Sequence, residues 1–486
     1  MWIANILAEN THVQQNIALT HISLDSRDIG VGGVFFALAG AQQHGLLYAD
    51  QVVRQGAVAI VYDPAKQGVE LAGNIHGLPL IAIENLSEKL GDIAARFYAQ
   101  PAQHLNIIGI TGTNGKTSCS QFIAQAMAGS AVIGTLGWGC YPDLHSTCNT
   151  TPDAFELQKI LAHFVKQGVA NVAMEVSSHG LQQGRVNGIK FNGVIFNNLS
   201  RDHLDYHGSM EAYFQTKLRL VQWPGISFVV VNLDDAYAER ILAAIANGVR
   251  VLTYSLQDKE HAKDSSIKAS NINYSLVGIS CDIGWQDQQA RLNVNLLGDF
   301  NLQNVLAVLA VLLAEGMSLT ESLIAIQKIK PVQGRMECFT AETGKPMVVV
   351  DYAHTPDALA KVLNTLRQHC TAKLSIVFGC GGDRDKGKRT QMGHIAEQLA
   401  DQLIVTDDNP RFEVGEAIIN EVVAGLNMHK VTVINDRKMA IAQGISSSSE
   451  SDIVLVAGKG HEDYQEVKGV KYPFSDRQIV QELLAA

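Results

Sequence analysis

With 486 residues the chain is longer than a single hydrophobic core supports, and chains of this length divide into about three domains. Apolar residues at 47% and charged residues at 18% make a globular composition and exclude extended disorder. The formal net charge of -10 excludes a broad nucleic-acid surface, which needs clustered Lys and Arg, but leaves room for small anions held at a local positive site.

The N-terminal "MWIANILAENTHVQQ" lacks a basic stretch followed by a long apolar core, so neither a leader nor an anchor is expected. Stable membrane insertion is not expected either, because the most apolar run, "VLAVLAVLLA" from Val305, is too short to cross a bilayer. Seven scattered cysteines without a C-x-x-C pair fit a reduced, cytoplasmic protein with no cysteine zinc site. Residues 1 to 100 read as a mixed α/β domain, with strands at "GGVFFALAG", "AVAIVYD" and "LPLIAIEN" and helices at "LYADQVVRQGA" and "LSEKLGDIAARFYAQ". Pro101 marks a join.

From "LNIIGI" to about residue 330, buried-type strands ("VANVAMEV", "NGVIFNNL", "SFVVVNL") alternate with helical stretches such as "FELQKILAHFVKQG". That alternation predicts a parallel sheet with helices on both faces. Period-two patterning from "IKASNINYSLVGISCDIGW" to "ARLNVNLLG" predicts an antiparallel addition, followed by an apolar helix at "NLQNVLAVLAVLLAEG". Residues 331 to 486 repeat the alternation, with strands at "PMVVVDY", "KLSIVFG", "QLIVTDD", "KVTVIND" and "DIVLVAG", and read as a Rossmann-like α/β domain. The expected fold is therefore α/β throughout, with domains 1–100, 101–330 and 331–486. "SSSSES" at 446 to 451 reads as a solvated loop.

In "GITGTNGKTS" a strand runs into a loop of Gly112, Thr113, Asn114 and Gly115, then into a helix beginning Lys116, Thr117, Ser118. Loop amides and the positive end of the helix favour an anion there. Lys116 would reach the β- and γ-phosphates of a nucleotide, and the Thr117 hydroxyl would be a ligand of Mg²⁺. The common G-x-x-x-x-G-K-[ST] spacing is not met, because residue 110 is Ile and the first loop glycine is Gly112. A guanine-reading N-K-x-D is missing, since "VVNLDD" lacks the lysine, so the nucleotide is expected to be ATP. The "GCGGDRD" segment fails G-x-G-x-x-G and argues against dinucleotide binding.

Glu175 ends an apolar strand, where a buried carboxylate is costly unless paired or metal-bound, and a magnesium-holding role follows once a phosphate loop lies upstream. "NNLSRDHLDYHGSMEAYFQTK" gathers Asp202, His203, Asp205 and His207 before a helix carrying Lys217. Spacing alone reads this as a capped, solvated loop and an ordinary helix-face lysine.

Taken together, "GTNGKTS", "NTTPD", "EVSSHGLQQGRV", "LSRDHLDYHGSMEAYFQTK", "GDFNLQNVLAV", "GRME", "VDYAHTPDAL", "GCGGDRDKGKR", "DDNPR" and "AGKGHEDYQ" resemble the Mur ligase family, the ATP-dependent amide-forming enzymes of peptidoglycan precursor synthesis. The likeness covers nearly the whole chain. It implies a UDP-binding N-terminal domain, a central ATPase and a C-terminal domain bringing the incoming amino acid, in a protein expected to be a monomer. It also implies that the γ-phosphoryl group of ATP activates the D-glutamate side-chain carboxyl of UDP-N-acetylmuramoyl-L-alanyl-D-glutamate as an acyl phosphate, which an amine then attacks.

Carried over by position, Lys116 stabilises the transferred phosphoryl group, Thr117 and Glu175 hold one magnesium, and His203 holds a second. Lys217 matches a lysine that becomes carbamylated and can then bind metal. Asn301, Asn304, Arg335, Asp351 and His354 resemble further ATP contacts. Thr150, Thr151, Ser177, Gln183 and Arg185 match positions that grip the UDP-dipeptide, and Ser26 a uridine-side contact. Many relatives carry Asp-Gly where this chain has His44-Gly45.

The D-N-P-R run, Asp408, Asn409, Pro410 and Arg411, lies where a strand gives way to a helix, the ligand-facing rim of an α/β sheet. A turn accounts for Asn409-Pro410 but not for the arginine. In this family the run resembles the signature of enzymes adding meso-diaminopimelate, whose distal carboxylate, absent from lysine, a guanidinium can pair bidentately. Arg384, Gly458 and Glu462 match further contacts to that amino acid, the glutamate being suited to an ammonium. The rival readings are another ligase of the superfamily, such as a folylpolyglutamate synthetase or the D-alanyl-D-alanine-adding enzyme, and a nucleotide-driven switch without ligation chemistry. The "SRDHLDYHG" and "DNPR" runs point away from the first, and the joint presence of Lys116, Glu175, His203 and Lys217 away from the second.

Overall fold

A computed structural model describes every residue except 8–16, 41–42, 258, 260, 263–264, 276, 342–343 and 486. Part of the N-terminal segment discussed above lies outside the described residues, as does the side chain of Asp205. The chain separates into two units. The first holds Met1–Ser255, Lys259–Ser266 and Ala307–Met317; the second holds Leu256–Asp258, Ile267–Leu306 and Ser318–Ala486.

The first unit contains two sheets. The N-terminal one is parallel, in the order His21–Ser23, Gly33–Ala37, Ala59–Tyr62, Leu80–Ala82. Both faces are buried, which explains why the strands are apolar without alternation. Val34, Phe36, Ala59 and Val61 pack on the helix Leu86–Phe97, while Phe35, Ala37, Ile60 and Tyr62 pack on Leu46 and Val52 of the other face. His44 is buried because it shapes this layer: Nδ1 accepts from the Leu46 amide at 3.1 Å and Nε2 faces the Asp63 carbonyl at 2.8 Å.

The central sheet of this unit runs Arg250–Ser255, Phe228–Asn232, Gly193–Phe196, Asn106–Thr111, Asn171–Glu175 and Ser130–Gly134, all parallel, and ends in the antiparallel strands Gly137–Cys140 and Asp143–His145. Asn106–Thr111 sits in the interior, flanked by Gly193–Phe196 and Asn171–Glu175. The loop that follows it therefore emerges at the carboxyl edge, where the crevice of an open α/β sheet lies. The Rossmann-like expectation for the last third of the chain is met in the second unit. Its sheet runs Glu337–Phe339, Met347–Asp351, Ile453–Ala457, Leu374–Phe378, Gln402–Val405, Val431–Val433, with only the first strand antiparallel. Helices Pro356–His369, Gly387–Leu399 and Gly415–Val423 cover one face, and Arg437–Ser446 and Asp476–Ala485 the other. The period-two segment forms the antiparallel strands Ser266–Ser275, Gly278–Trp285 and Gln288–Val294.

The α/β fold class read from the sequence stands. One local expectation changes: residues 204–207, read as loop, form the helical turn Leu204–His207. Asp202 accepts from the His203 amide at 2.8 Å, and Gly208, at φ +76°, ends the turn by donating to the Leu204 carbonyl at 2.8 Å. Among the described residues no helix is long and apolar enough to cross a membrane.

Within the first unit the N-terminal layer meets the central one at Gly91 of the helix Leu86–Phe97, where a Cβ would overlap the Asn187 carbonyl, and Asn187 donates back to the Glu88 carbonyl at 2.7 Å. Nearby, the rings of Phe36 and Phe155 meet edge to face with centroids 4.9 Å apart. Gly91→Ala is expected to lower stability by roughly 1 to 3 kcal/mol through overpacking of this seam, measured by denaturant unfolding, with Ser87→Ala as an exposed control within about 0.5 kcal/mol.

Candidate functional site

The helix Lys116–Ala126 begins at Gly115, whose φ of +84° is the left-handed conformation that turns the loop back over the helix end, and which as a glycine offers no capping side chain. Residues 197–200, which follow the neighbouring strand, brace the loop. The Asn198 side-chain oxygen accepts from the Asn114 amide at 2.8 Å, the Asn197 and Asn198 amides donate to the Asn114 carbonyl at 3.1 Å, and the Ser200 amide donates to Thr113 Oγ1 at 2.9 Å. The sequence reading did not assign these residues. Paired asparagines directly after an apolar strand are the only signal that could have flagged them.

Glu175 is 1% exposed and lies behind the loop. Its Oε2 accepts from Thr117 Oγ1 at 3.0 Å and Thr135 Oγ1 at 3.1 Å, and its Oε1 from the Thr135 amide at 2.9 Å. Burial pushes its carboxyl pKa up, while the Lys116 charge and these hydrogen bonds act in the opposite direction. Thr135, also unassigned by the sequence, extends the chain by sharing a 3.0 Å hydrogen bond with Thr150.

Two lysines converge on one backbone carbonyl. Lys116 Nζ and Lys217 Nζ each lie 2.8 Å from the Gly112 oxygen, and Lys116 also donates to the Thr113 carbonyl at 2.9 Å. Lys217, on the helix Met210–Val221, is 1% exposed, with its ammonium 4.8 Å from the centre of the Tyr213 ring. It is a buried residue at the loop rather than an ordinary helix-face lysine. Burial holds its pKa well below the usual lysine value and the Lys116 charge lowers it further, which favours the neutral amine.

Lys116, Thr150, Thr151, Ser177, Arg185, His203 and Lys217 line one pocket of about 230 Å³, with Asn149, Ser178 and His179. Thr151 Oγ1 donates to the Glu175 carbonyl at 3.0 Å and meets Ser177 Oγ at 3.1 Å. Arg185 Nη1 donates to the Thr151 carbonyl at 2.7 Å, and Gln183 accepts from the same guanidinium at 2.9 and 2.7 Å. His203 stands at φ +53° with Nε2 3.4 Å from Asp202, and its ring centroid is 4.9 Å from that of His179. Ser26 is not part of this lining; it is buried in the N-terminal layer and bonds to Gln51 at 3.3 Å.

The hydroxyl of Thr117 and the carboxylate of Glu175 form an all-oxygen pair suited to a hard cation such as Mg²⁺. Among the described residues no three His, Cys, Asp or Glu side chains converge as a ready-made metal cage. Magnesium bound beside phosphates does not need one, because it keeps several water and phosphate ligands.

The second unit carries the remaining candidates. Asn301 and Asn304 are buried on the helix Asp299–Ala314, Asn301 donating to the Leu297 carbonyl at 2.9 Å. The Arg335 guanidinium stacks 4.8 Å from the centre of Tyr352, and Asp351 accepts from the Met336 and Ala353 amides at 2.7 and 2.8 Å. His354 holds the Tyr352 carbonyl at 2.8 Å.

The D-N-P-R loop follows the strand Gln402–Val405. Arg411 sits at φ +52°, held there because its amide donates to the Glu466 carbonyl at 3.0 Å and the Lys468 amide donates to its carbonyl at 2.7 Å. Its Nη1 donates to the Gly382 carbonyl at 2.7 Å and its Nε lies 3.4 Å from Glu466, while Nη2 has no partner among the described residues. A Cβ on Gly381 would meet Arg411 Nη1 and the Arg384 side chain together, so both arginines border one glycine. Gly458 abuts the Asp408 carboxylate, and Glu462 accepts from Asn409 Nδ2 at 2.9 Å. Two buried arginines missed in the sequence anchor these loops. Arg389 pairs with Glu413 at 2.7 Å and Glu421 at 2.8 Å; Arg437 pairs with Asp476 at 2.7 Å and donates to the Ala457 carbonyl at 2.9 Å.

Three family profiles match the chain: "Mur ligase family, catalytic domain" over 18–98, "Mur ligase middle domain" over 110–312 and "Mur ligase, glutamate ligase domain" over 334–460. Among curated proteins, the UDP-N-acetylmuramoyl-L-alanyl-D-glutamate--2,6-diaminopimelate ligase of Pseudomonas aeruginosa is 45% identical over 97% of this chain and 96% of its own length. Its namesake from Xylella fastidiosa is 43% identical over 97% and 95%. A solved structure bearing the same enzyme name superposes with a TM-score of 0.74 at 34% identity, covering 100% of this chain and 99% of the other. A MurF structure from Acinetobacter baumannii reaches 0.65 at 16% identity and shares the fold.

The depressed Lys217 pKa has a consequence for stability. Between that value and the ordinary lysine value of 10.5 the folded protein binds fewer protons than the unfolded chain, so the Lys217 contribution to stability rises with pH across that window. Relative to Lys217→Met, the wild type is expected to gain stability from pH 7 to 9.5 at a slope of at most about 1.4 kcal/mol per pH unit, measured by denaturant titration at each pH. A flat or falling difference would contradict the depressed value.

Proposed function

This chain belongs to the Mur ligase family, and from that premise we propose that it joins meso-2,6-diaminopimelate to the D-glutamate side-chain carboxyl of UDP-N-acetylmuramoyl-L-alanyl-D-glutamate, releasing ADP and phosphate from ATP. The observation that carries the reading is the single pocket in which the phosphate-loop lysine Lys116 and the buried amine of Lys217 share walls with Thr150, Thr151, Ser177 and Arg185. A switch needs only the nucleotide half of such a cavity; a ligase needs a polar cradle for an acid beside it. The three profile matches, ending at 98, resuming at 110 and resuming again at 334, support a division into three domains near residues 100 and 330.

In this reading the loop amides and Lys116 hold the β- and γ-phosphates, and the dipeptide carboxylate, oriented by Arg185 and the Thr151–Ser177 hydroxyls, attacks the γ-phosphorus to give an acyl phosphate and ADP. The amine of diaminopimelate then adds to the acyl carbon, and the tetrahedral intermediate collapses with loss of phosphate. Catalysis of this kind is positioning and charge neutralisation rather than covalent attack by the protein. Thr117 and Glu175 would hold Mg²⁺, and His203 with carbamylated Lys217 a second ion; such ions supply charge stabilisation on the phosphoryl oxygens. Carbamylation requires a neutral amine, and the depressed pKa of Lys217 supports that role. Asn301, Asn304, Arg335, Asp351 and His354 are assigned to the nucleotide, Gln183 to the dipeptide and Ser26 to the uridine end. Arg384, Asp408, Asn409, Pro410, Arg411, Gly458 and Glu462 are assigned to diaminopimelate. The substrates are small metabolites of the cytoplasm, where the enzyme would act as a monomer.

Arg411 supplies selectivity. Its Nη2, unpartnered among the described residues, can receive the distal carboxylate, and a substrate lacking that group leaves this end of the guanidinium unsatisfied. Phosphate release should require ATP, the UDP-dipeptide and diaminopimelate together. Arg411→Ala should lower kcat/KM for diaminopimelate by about 30- to 5,000-fold, the equivalent of roughly 2 to 5 kcal/mol, with KM for ATP within about twofold of wild type. Equal loss toward both substrates would remove Arg411 from the selectivity role, and phosphate release indifferent to dipeptide and amino acid would favour a switch.

A further inference from the structure

Beside the D-N-P-R loop lies a buried cation to which no role has been assigned. Lys459 follows the strand Ile453–Ala457, and its side chain is 0% exposed. A buried ammonium is costly unless its protons are used, and here they are. Nζ donates to Asn409 Oδ1 at 2.9 Å and to Glu462 Oε2 at 3.0 Å, and lies 5.5 Å from the centre of the Tyr464 ring.

These contacts determine which way Asn409 faces. Its Oδ1 accepts from both Lys459 Nζ and the Glu466 amide, the latter at 3.0 Å, while its Nδ2 donates to Glu462 Oε2 at 2.9 Å. A flipped amide would set NH₂ against an ammonium and an N–H and set a carbonyl against a carboxylate, losing every contact at once. Glu462 is fixed by the same cation. Its Oε2 accepts hydrogen bonds from Lys459 and Asn409, and Oε1, on a side chain 17% exposed, has no partner among the described residues.

We propose that Lys459 is a positioning residue for the incoming amino acid: it locks the Asn409 amide and commits one oxygen of Glu462, so that the other is presented to the ammonium of the diamino acid. The proposal rests on the assignment of the D-N-P-R loop to that substrate. Lys459 itself does not touch the substrate; a cation at an ammonium-binding carboxylate would repel the ligand if it occupied the same oxygen, and here the two oxygens divide the tasks.

The test is steady-state kinetics on Lys459→Met, Glu462→Gln and the double variant, varying each of the three substrates in turn. Lys459→Met should raise KM for diaminopimelate about tenfold or more, leave kcat within about threefold, and leave KM for ATP and the UDP-dipeptide within about twofold. In the Glu462→Gln background the same substitution should have a smaller effect, because the part transmitted through that carboxylate is already lost and only the part through Asn409 remains. An unchanged KM for diaminopimelate, an equal rise for all three substrates, or effects that multiply in the double variant would overturn the role. Should Lys459→Met fail to fold, Lys459→Arg keeps the charge but replaces the compact ammonium with a planar fork, and the same outcomes decide. Wild-type turnover is the control: if diaminopimelate supports none, the proposed function falls, whereas normal turnover with a silent Lys459→Met removes only Lys459.

Discussion

The central sheet of the first unit is organised around a carboxylate that water cannot reach. Glu175 ends a strand of the parallel sheet at 1% exposure, and such a group persists only where its oxygens are fully occupied. The hydroxyls of Thr117 and Thr135 and the Thr135 amide meet that demand. The three donors come from two separate stretches: Thr117 from the helix after the glycine-containing loop, and both Thr135 groups from the turn after the neighbouring strand Ser130–Gly134. Satisfying Glu175 therefore ties the helix start to the carboxyl edge of the sheet, and through the 3.0 Å contact of Thr135 with Thr150 it reaches the wall of the pocket.

Charge in the same place explains the two lysines. Lys116 and Lys217 meet at the Gly112 carbonyl, and two full positive charges at that separation in a buried site are unfavourable. Burial is the larger cause and this repulsion the smaller, and together they bias Lys217 toward the neutral amine. A nucleotide brought to this loop would supply the missing negative charge. The second unit solves a comparable problem differently. Arg389, Arg437 and Lys459 are all buried, yet each is paired with a carboxylate and with a backbone or amide oxygen, so the loops bearing Arg384, Arg411 and Glu462 are fastened from beneath by ion-paired cations.

Much of this was legible in the sequence because the signals are local. Apolar runs of strand length separated by helical periodicity disclosed the parallel sheets, and the glycines and Lys-Thr pair of "GTNGKTS" disclosed the loop between a strand and a helix. Family resemblance went further than spacing could with Lys217, since nothing in "YFQTKLRL" reveals that this lysine faces a loop about 100 residues earlier in the chain. What escaped notice was the bracing. Asn198, Ser200 and Thr135 act through hydrogen bonds to segments distant in sequence, and Arg389, Arg437 and Lys459 look like surface charges until folding surrounds them. The turn at Leu204–His207 was misread because four residues carry too little periodicity to outweigh polar composition. His44, a departure from the common Asp-Gly, is explained by geometry: Nδ1 caps the turn that starts at Gly45 and Nε2 reaches the Asp63 carbonyl.

The central claim is that the γ-phosphoryl group passes to the dipeptide carboxylate rather than to water. It is tested most directly with UDP-dipeptide carrying ¹⁸O in the D-glutamate side-chain carboxyl, incubated with the enzyme, ATP and diaminopimelate, followed by mass analysis of the inorganic phosphate. The account predicts one labelled oxygen in each phosphate released alongside a new amide bond. Phosphate free of the label, with ADP formed at the same rate, would contradict it.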